Sequence, residues 1–287
     1  MRRKIRESCM KPFALARIAA AIAVLALSTG VHAQAQKAAK SEFKPQVGQA
    51  GKDVIWVPTP DEVVDRMLTL TKLGPNDFHM DLGSGDGRTV IAAAKKGARS
   101  LGIEYNPDMI ALAQKAARDA GVSARAEFRK ADIFATDFSR ATVITLYLLP
   151  ELNLRLRPTI LAMKPGTRVA SHQFNMAEWE SDQTDLIDGR SVHYWMVPAK
   201  ADGHWTVQQP GGVLDITFQQ SFQKLAGTAK SGGRNVEVKG AKLAGDAISF
   251  AVVGDDGKPR EYSGRVSGKS MEGTIKPGDA KWSAALH

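Results

Sequence analysis

The apolar positions of this chain follow two different periods. From Val54 to about residue 198, compact apolar runs alternate with segments of helical spacing. The runs at Phe78–Leu82, 100–104, 125–129, 141–149 and 168–174 have the length of buried strands. Between them lie helical stretches at 89–96, closed by Gly97, at 107–120, closed by Gly121, and at 151–163, where Pro158 must kink or divide the helix. Asn106-Pro107 reads as the cap and first position of the second stretch. A further helix precedes the first strand, with Val63, Val64, Met67 and Leu68 on one face. Thr59 is its expected cap, Pro60 its first residue, and Glu62 the partner that completes a capping box. Strand–helix alternation of this kind predicts an α/β fold with a doubly wound parallel sheet, which binds ligands at the carboxyl ends of its strands.

After residue 198 the helical period is gone. Short alternating runs appear at 212–219, 221–228, 235–239, 247–253, 261–266, 270–275 and 281–285. Turn signals separate them, including Gly211-Gly212, Gly232-Gly233, Gly254-Asp255-Asp256-Gly257 and Pro277-Gly278. Regular short strands with such turns predict a small antiparallel all-β domain, a sandwich or barrel. The Gly-Asp-Asp-Gly stretch suits a hairpin turn better than a calcium site. This region gathers no cluster of catalytic residue types.

The stretch Asp81-Leu82-Gly83-Ser84-Gly85-Asp86-Gly87-Arg88 joins the end of a strand to the start of a helix. Glycines there let the backbone approach a ligand, and the helix start offers unpaired N–H groups. A dinucleotide fingerprint would place a third glycine where Arg88 stands. Asp81 and Asp86 would also repel a diphosphate, whereas they suit a cation. S-adenosylmethionine has a sulfonium, an ammonium and no phosphate, so the sign of the charge favours it. The alternative is an ordinary α/β domain whose glycine turns and surface acids serve no ligand.

These residues resemble the first motif of the class I S-adenosylmethionine-dependent methyltransferases. The resemblance implies their Rossmann-like doubly wound sheet, S-adenosyl-L-methionine as cofactor, and cofactor contacts from Asp81, Gly83, Ser84, Gly85, Asp86, Gly87 and Asn106. Glu104, 21 positions after Gly83, corresponds to the acid that binds both ribose hydroxyls. Asp132 corresponds to the acid facing the adenine amino group, and Ile133 to the apolar residue packed on the ring. The fourth strand end reads Tyr147-Leu148-Leu149-Pro150-Glu151-Leu152. It lacks the Asp/Asn-Pro-Pro-Tyr motif of enzymes that methylate DNA bases or glutamine. From Trp56 to Trp179 the chain is similar to the protein-lysine N-methyltransferases of the ATP synthase c-subunit and adenine nucleotide translocase, with their bacterial relatives. Val57-Pro58-Thr59-Pro60, Glu104-Tyr105-Asn106-Pro107 and Ser171-His172-Gln173-Phe174 with Trp179 carry this narrower resemblance.

What it implies is a lysine acceptor on a protein, with no nucleic-acid partner. A small-molecule acceptor, or a non-enzymatic exported binding protein, are the other readings of the same residues. Tyr147, Glu151 and His172 are candidate contributors to the acceptor site, able to take the proton that a lysine must lose. Their plain roles are a packed ring, a helix N-terminal charge and a satisfied strand-end residue. Asn175 and Trp179 are candidates for shaping the mouth, and Trp56 and Pro58 for lining the pocket.

A net charge of +9 invites a nucleic-acid reading. Residues 1–33 hold six Lys/Arg and one acid, so five of those nine charges belong to a short N-terminal segment. That segment reads as a secretory signal peptide: a basic start, an apolar run from Ile18 to Leu27, and Val31-His32-Ala33 before a cleavage point. The apolar run is short for a membrane span, which takes roughly 20 residues. Export, as to a periplasm, is the expectation, and an uncleaved anchor its alternative. The one cysteine, Cys9, lies inside this segment, so thiolate chemistry and metal binding through thiolate have no place in the remainder. The expected organisation is signal peptide 1–33, flexible linker 34–53, S-adenosylmethionine-binding domain 54–198 and antiparallel β domain 199–287.

Overall fold

The computed structural model of the chain describes residues 43–253 and 257–287. The expected signal peptide and residues 254–256 of the Gly-Asp-Asp-Gly turn lie outside them. Five strands are parallel: β1 (Phe78–Leu82), β2 (Arg99–Glu104), β3 (Ala126–Lys130), β4 (Val143–Leu146) and β5 (Arg168–His172). The hairpin β6 (Gln183–Ile187) and β7 (Arg190–Met196) adds to β5 antiparallel, giving a mixed sheet ordered β3-β2-β1-β4-β5-β7-β6. β6 carries no apolar run and is half exposed, so the sequence pattern does not mark it.

Alternation along each strand sends successive side chains to opposite faces. Met80 and Leu82 of β1 join Leu101, Ile103, Ile144, Leu146 and Val169 in a core closed by Leu156 and Ile160 of α4 (Pro150–Leu161). On the other face, α1 (Asp61–Leu70) packs Val63, Met67 and Leu70 against Ala170 and Val192. Its Val64 and Leu68 meet Ala93 of α2 (Arg88–Lys95). Val90 and Ala94 of α2 pack with Ala117 of α3 (Pro107–Asp119) and Ala126 of β3. Helices therefore cover both faces.

Several local expectations change. Asn106 caps α3 through a hydrogen bond from the Asp108 N–H at 2.9 Å. Thr59 does not cap α1: Pro60 holds the cap position and no side-chain cap forms. The Thr59 hydroxyl is instead buried against His172 Nδ1 at 3.2 Å. Pro158 sits inside α4, which runs unbroken through it to Leu161. β4 is four residues rather than nine, because Tyr147, Leu148 and Leu149 leave the sheet to wall a cavity. β5 stops at His172, where Gln173 takes φ 68°.

The C-terminal region is a closed antiparallel barrel of eight strands. They are β8 (Gly203–Gln209), β9 (Gly212–Ser221), β10 (Lys224–Ser231), β11 (Arg234–Ala244), β12 (Ala247–Val253), β13 (Pro259–Ser267), β14 (Ser270–Lys276) and β15 (Ala280–Leu286). β8 is the strand the sequence pattern does not single out, and its pairing with β15 closes the ring. Closure removes the exposed edges that a sandwich would keep. Side chains fill the interior. Phe250 stacks on Tyr262 at 4.6 Å, and Trp282 meets both rings edge-on. A Cβ on Gly273 would lie 1.9 Å from the Ser263 carbonyl oxygen, so β13 and β14 pack too closely there for any other residue. Phe222, between β9 and β10, stacks on Trp179 of the first region, and Lys224 pairs with Glu180 at 2.7 Å.

Candidate functional site

A cavity of about 310 Å³ opens where β1, β2 and β4 end. The glycine loop forms its floor. Gly83, Gly85 and Gly87 all take positive φ, at 85°, 52° and 82°. Their surroundings differ. A Cβ on Gly83 would press on Leu148, and one on Gly85 would lie 2.8 Å from Trp56 Nε1. One on Gly87 would strike Phe128 and Ala113, so this glycine serves the packing of α2 rather than the cavity wall. Arg88, in place of a further glycine, clasps Asp86 through three contacts of 2.7 to 3.1 Å and gives Nη1–H to the Thr59 carbonyl at 2.8 Å. It pins the loop to the segment before α1.

Three carboxylates at three successive strand ends meet on this cavity: Asp81, Glu104 and Asp132. Glu104 Oε2 accepts from the Gly85 N–H at 2.9 Å, while Oε1 accepts from the N–H groups of Tyr105 and Asn106 at 2.8 Å. Its geometry is thus fixed by the backbone. Asp81 is buried and accepts from the Thr145 hydroxyl at 2.6 Å. Burial pushes its carboxyl up to about 7, against the pull of the Thr145 hydrogen bond and with help from the charges of Asp86 and Glu104. Asp132 accepts from the Phe134 N–H at 2.9 Å and from Lys52 Nζ at 2.5 Å. The Lys52 ammonium holds this carboxyl below its usual range.

Of the residues singled out in the sequence, Asp81, Gly83, Ser84, Gly85, Asp86, Glu104, Asn106, Asp132, Ile133 and Tyr147 border the cavity, together with Trp56 and Pro58. Gly87, Glu151 and His172 do not. Glu151 is exposed in the first turn of α4. His172 is buried behind the wall, its ring centroid 3.9 Å from that of Tyr147. Burial, aided by the charge of Arg190, holds its imidazole down to about 4, so it stays neutral near pH 7. Phe174 stacks on the Tyr147 ring at 6.3 Å and reaches the cavity. Trp179 is core, between Trp195 and Phe222, and Asn175 turns its oxygen to the Ala177 N–H.

The sequence pattern missed one wall altogether. Part of the expected linker, from Gln49 to Asp53, lines the cavity. It belongs to a tight hairpin: Gly48 N–H to Trp56 O, Trp56 N–H to Gln49 O and Gly51 N–H to Val54 O, at 2.8 to 2.9 Å. Lys52 at its tip lies 5.0 Å from the Tyr105 ring centroid on its way to Asp132. A polar strap of this kind has no apolar period, and only the Gly51-Lys52-Asp53 turn hints at it.

The donor set fits S-adenosylmethionine. The two basic side chains on the wall, Lys52 and Arg88, are each bound to an acid, so a diphosphate would face Asp81 and Glu104 without a counter-charge. A sulfonium and an ammonium meet attraction there instead. Asp132 and Ile133 lie side by side, an acceptor beside an apolar surface, as a purine with an exocyclic amine requires.

Comparison with known proteins points the same way. Residues 81–183 match the model of the ANTKMT methyltransferase domain. A protein-lysine N-methyltransferase of Saccharolobus islandicus is 38% identical over 144 residues, covering 49% of this chain and 89% of that protein. The ATP synthase c-subunit lysine N-methyltransferase of Mus musculus is 30% identical over 130 residues, 45% of this chain and 52% of its own. The chain therefore spans about half the length of this mouse relative. A solved structure described as an RNA methyltransferase from Salinibacter ruber, in complex with S-adenosyl-L-homocysteine, shares 49% identity at a TM-score of 0.49, covering 50% of this chain and 96% of that one.

Proposed function

We propose that this protein methylates lysine side chains of a protein acceptor, and the premise is its family: the chain belongs to the S-adenosylmethionine-dependent methyltransferases. The observation that carries the proposal is the convergence of Asp81, Glu104 and Asp132 on one cavity with Tyr147 and Phe174 on its wall. Its relatives from Saccharolobus islandicus and Mus musculus are named as lysine methyltransferases, which supports a lysine acceptor.

The cofactor supplies a methyl group already activated on a sulfonium sulfur. The chain's own residues position and desolvate. Glu104, locked by three backbone N–H groups, keeps one of its about four acceptor sites, on Oε2, open to a ribose hydroxyl. The glycine loop allows close approach, and Ile133, Leu148, Leu149 and Trp56 give the cavity an apolar wall. An acceptor ammonium has an unperturbed pKa of about 10.4. Desolvation lowers it, so that the proton passes to solvent and leaves the lone pair free. Tyr147 and Phe174 offer ring faces to a cationic head group. His172, neutral and stacked on Tyr147, adds no competing positive charge and holds that ring in place. Orientation of two bound groups contributes most of the remaining rate.

Export belongs to the same proposal, on the basic start and short apolar run of residues 1–33. Among the described residues no helix is long and apolar enough to cross a membrane.

The test is transfer of labelled methyl groups to fractionated cell extract. A labelled protein band whose hydrolysate contains methyl-lysine is the expected result. Label confined to RNA or to the small-molecule fraction would overturn the lysine reading.

A further inference from the structure

A buried polar chain leads from the interior of the sheet to the cofactor cavity. His79 stands two positions before Asp81 on β1, hence on the same face, and is fully buried. Register places it beside Ser100 of β2, and places Asp81 beside Thr145 of β4. His79 Nδ1 lies 2.6 Å from Ser100 Oγ, and Nε2 lies 2.8 Å from Thr145 Oγ1. Thr145 in turn lies 2.6 Å from Asp81 Oδ1. Four side chains on three adjacent strands form one unbranched path ending at the cavity.

A neutral imidazole has one N–H and one bare nitrogen, so this path has two senses. Burial holds His79 down to about 3, which keeps the ring neutral in either case. An ionised Asp81 only accepts. Thr145 then donates to it, the Thr145 oxygen accepts from Nε2–H, and the bare Nδ1 accepts from the Ser100 hydroxyl. Only a proton on Asp81 Oδ1 itself would reverse every bond, so that Asp81 donates to Thr145, Thr145 donates to Nε2, and Nδ1–H donates to Ser100; a proton on Oδ2 leaves Oδ1 an acceptor and the path unchanged. Among the described residues Ser100 Oγ has no hydrogen-bond partner other than His79. Only the first sense gives every hydrogen on the path an acceptor. The wiring therefore keeps Oδ1 an acceptor with the Thr145 hydroxyl aimed at it, the arrangement that a charged Asp81 and a cationic ligand need.

We propose that His79 is a positioning residue for cofactor capture: its Nε2–H tautomer holds the Thr145 oxygen so that the Thr145 hydroxyl donates to Asp81, and binding of the cationic cofactor to the charged Asp81 locks the path in that sense. The inference rests on Asp81 facing the cofactor. The proton balance is simple. One proton leaves Asp81 Oδ2 for solvent, the ring hydrogen stays on Nε2, and the imidazole stays neutral throughout. The charged groups around the path come from every side of it. Asp86 of the glycine loop and Glu104 of β2 oppose ionisation of Asp81, and Arg88 of α2 is engaged with Asp86. Lys52 of the strap is turned to Asp132, and Asp77, just before β1, faces His79.

Full-length protein labelled with ¹⁵N at histidine tests this. Ring ¹⁵N–¹H correlation spectra tell a protonated ring nitrogen from a bare one. Without cofactor, His79 should show the Nε2–H form from about pH 5 to about pH 9, on both sides of the Asp81 transition at about 7. Saturating S-adenosylmethionine at about pH 6 should retain the Nε2–H form, with about one proton released per molecule bound in calorimetry across two buffers. Thr145→Val cuts the path. It should release His79 into a mixture of both tautomers and weaken cofactor binding by about tenfold. A His79 in the Nδ1–H form in the native protein with cofactor bound overturns the proposal while leaving the cofactor site standing. Absence of any binding heat with S-adenosylmethionine removes the cofactor reading itself. The native spectra carry the test even if the Thr145 variant does not fold.

Discussion

The mixed-sheet region and the barrel bury different kinds of side chain. All twelve buried polar or charged residues among the described ones lie between Thr59 and His172, in the mixed-sheet region. The buried residues of the barrel are apolar or aromatic, from Trp205 and Phe218 to Phe250 and Trp282. Burying polar groups costs free energy unless each finds a partner. The mixed-sheet region bears that cost where ligand chemistry needs it, beside Asp81 and behind Tyr147. The barrel carries no such burden, and its interior is closed by rings rather than opened into a cavity. The contrast assigns stability to one region and chemistry to the other, and it can be broken experimentally.

The largest effect expected is a crossover between the two. Trp282→Ala, which empties the middle of the barrel, should lower unfolding free energy by about 3–5 kcal/mol and leave cofactor affinity of the folded fraction within about twofold. Glu104→Ala should do the reverse, lowering cofactor affinity at least about a hundredfold through lost charge-assisted hydrogen bonds. Urea denaturation and calorimetry on both variants check it. Equal losses of binding in the two would dissolve the division of labour.

A second, intermediate effect is acid sensitivity confined to the polar core. His79 and His172 have folded values of about 3 and about 4 against the usual 6.5. The unfolded chain therefore binds protons first, and stability falls as pH drops below 6.5 toward those values. Asp81 acts in the opposite direction. Its folded value of about 7 lies above the usual 3.8, so the folded state takes up its proton first as pH falls. Lowering pH from about 7 to about 5 should cost the native protein only about 1.5 kcal/mol, because one carboxyl offsets part of what two imidazoles lose. Asp81→Asn removes the offset and should lose roughly 2 kcal/mol more than native protein over that range. Urea midpoints at the two pH values decide it, and parallel curves would mean that Asp81 titrates normally.

The smallest effect concerns the seam between the regions. Lys224 and Glu180 are both largely exposed, so Lys224→Ala should cost no more than about 0.5 kcal/mol. The stacking of Phe222 on Trp179 holds the seam instead. A loss above about 1 kcal/mol in thermal unfolding would show that the ion pair contributes more than its exposure allows.

What was legible in the sequence was local. The glycine loop, the Asn106 cap and the order of the three acids rest on neighbours a few positions apart. Thr59 looked like a cap because its neighbours are a proline and an acid, yet its hydroxyl partner, His172, lies 113 positions away. His79 showed only as a polar letter in an apolar run, and its partners lie 21 and 66 positions distant. The strap from Gln49 to Trp56 was hidden for a related reason: its polar side chains make sense only against Asp132, Tyr105 and Met109.

The sequence by itself determined the alternation of elements, the glycine turn and the negative sign of the ligand pocket, because periodicity, backbone freedom and charge are properties of residue type and spacing. Only the tertiary structure decided that eight strands close into a barrel, that a polar hairpin walls the cavity, and that His172 stands behind Tyr147 rather than in the pocket. Those outcomes depend on which distant groups meet out of reach of water, and a buried hydrogen bond has no signature in the chain until both of its partners are in place.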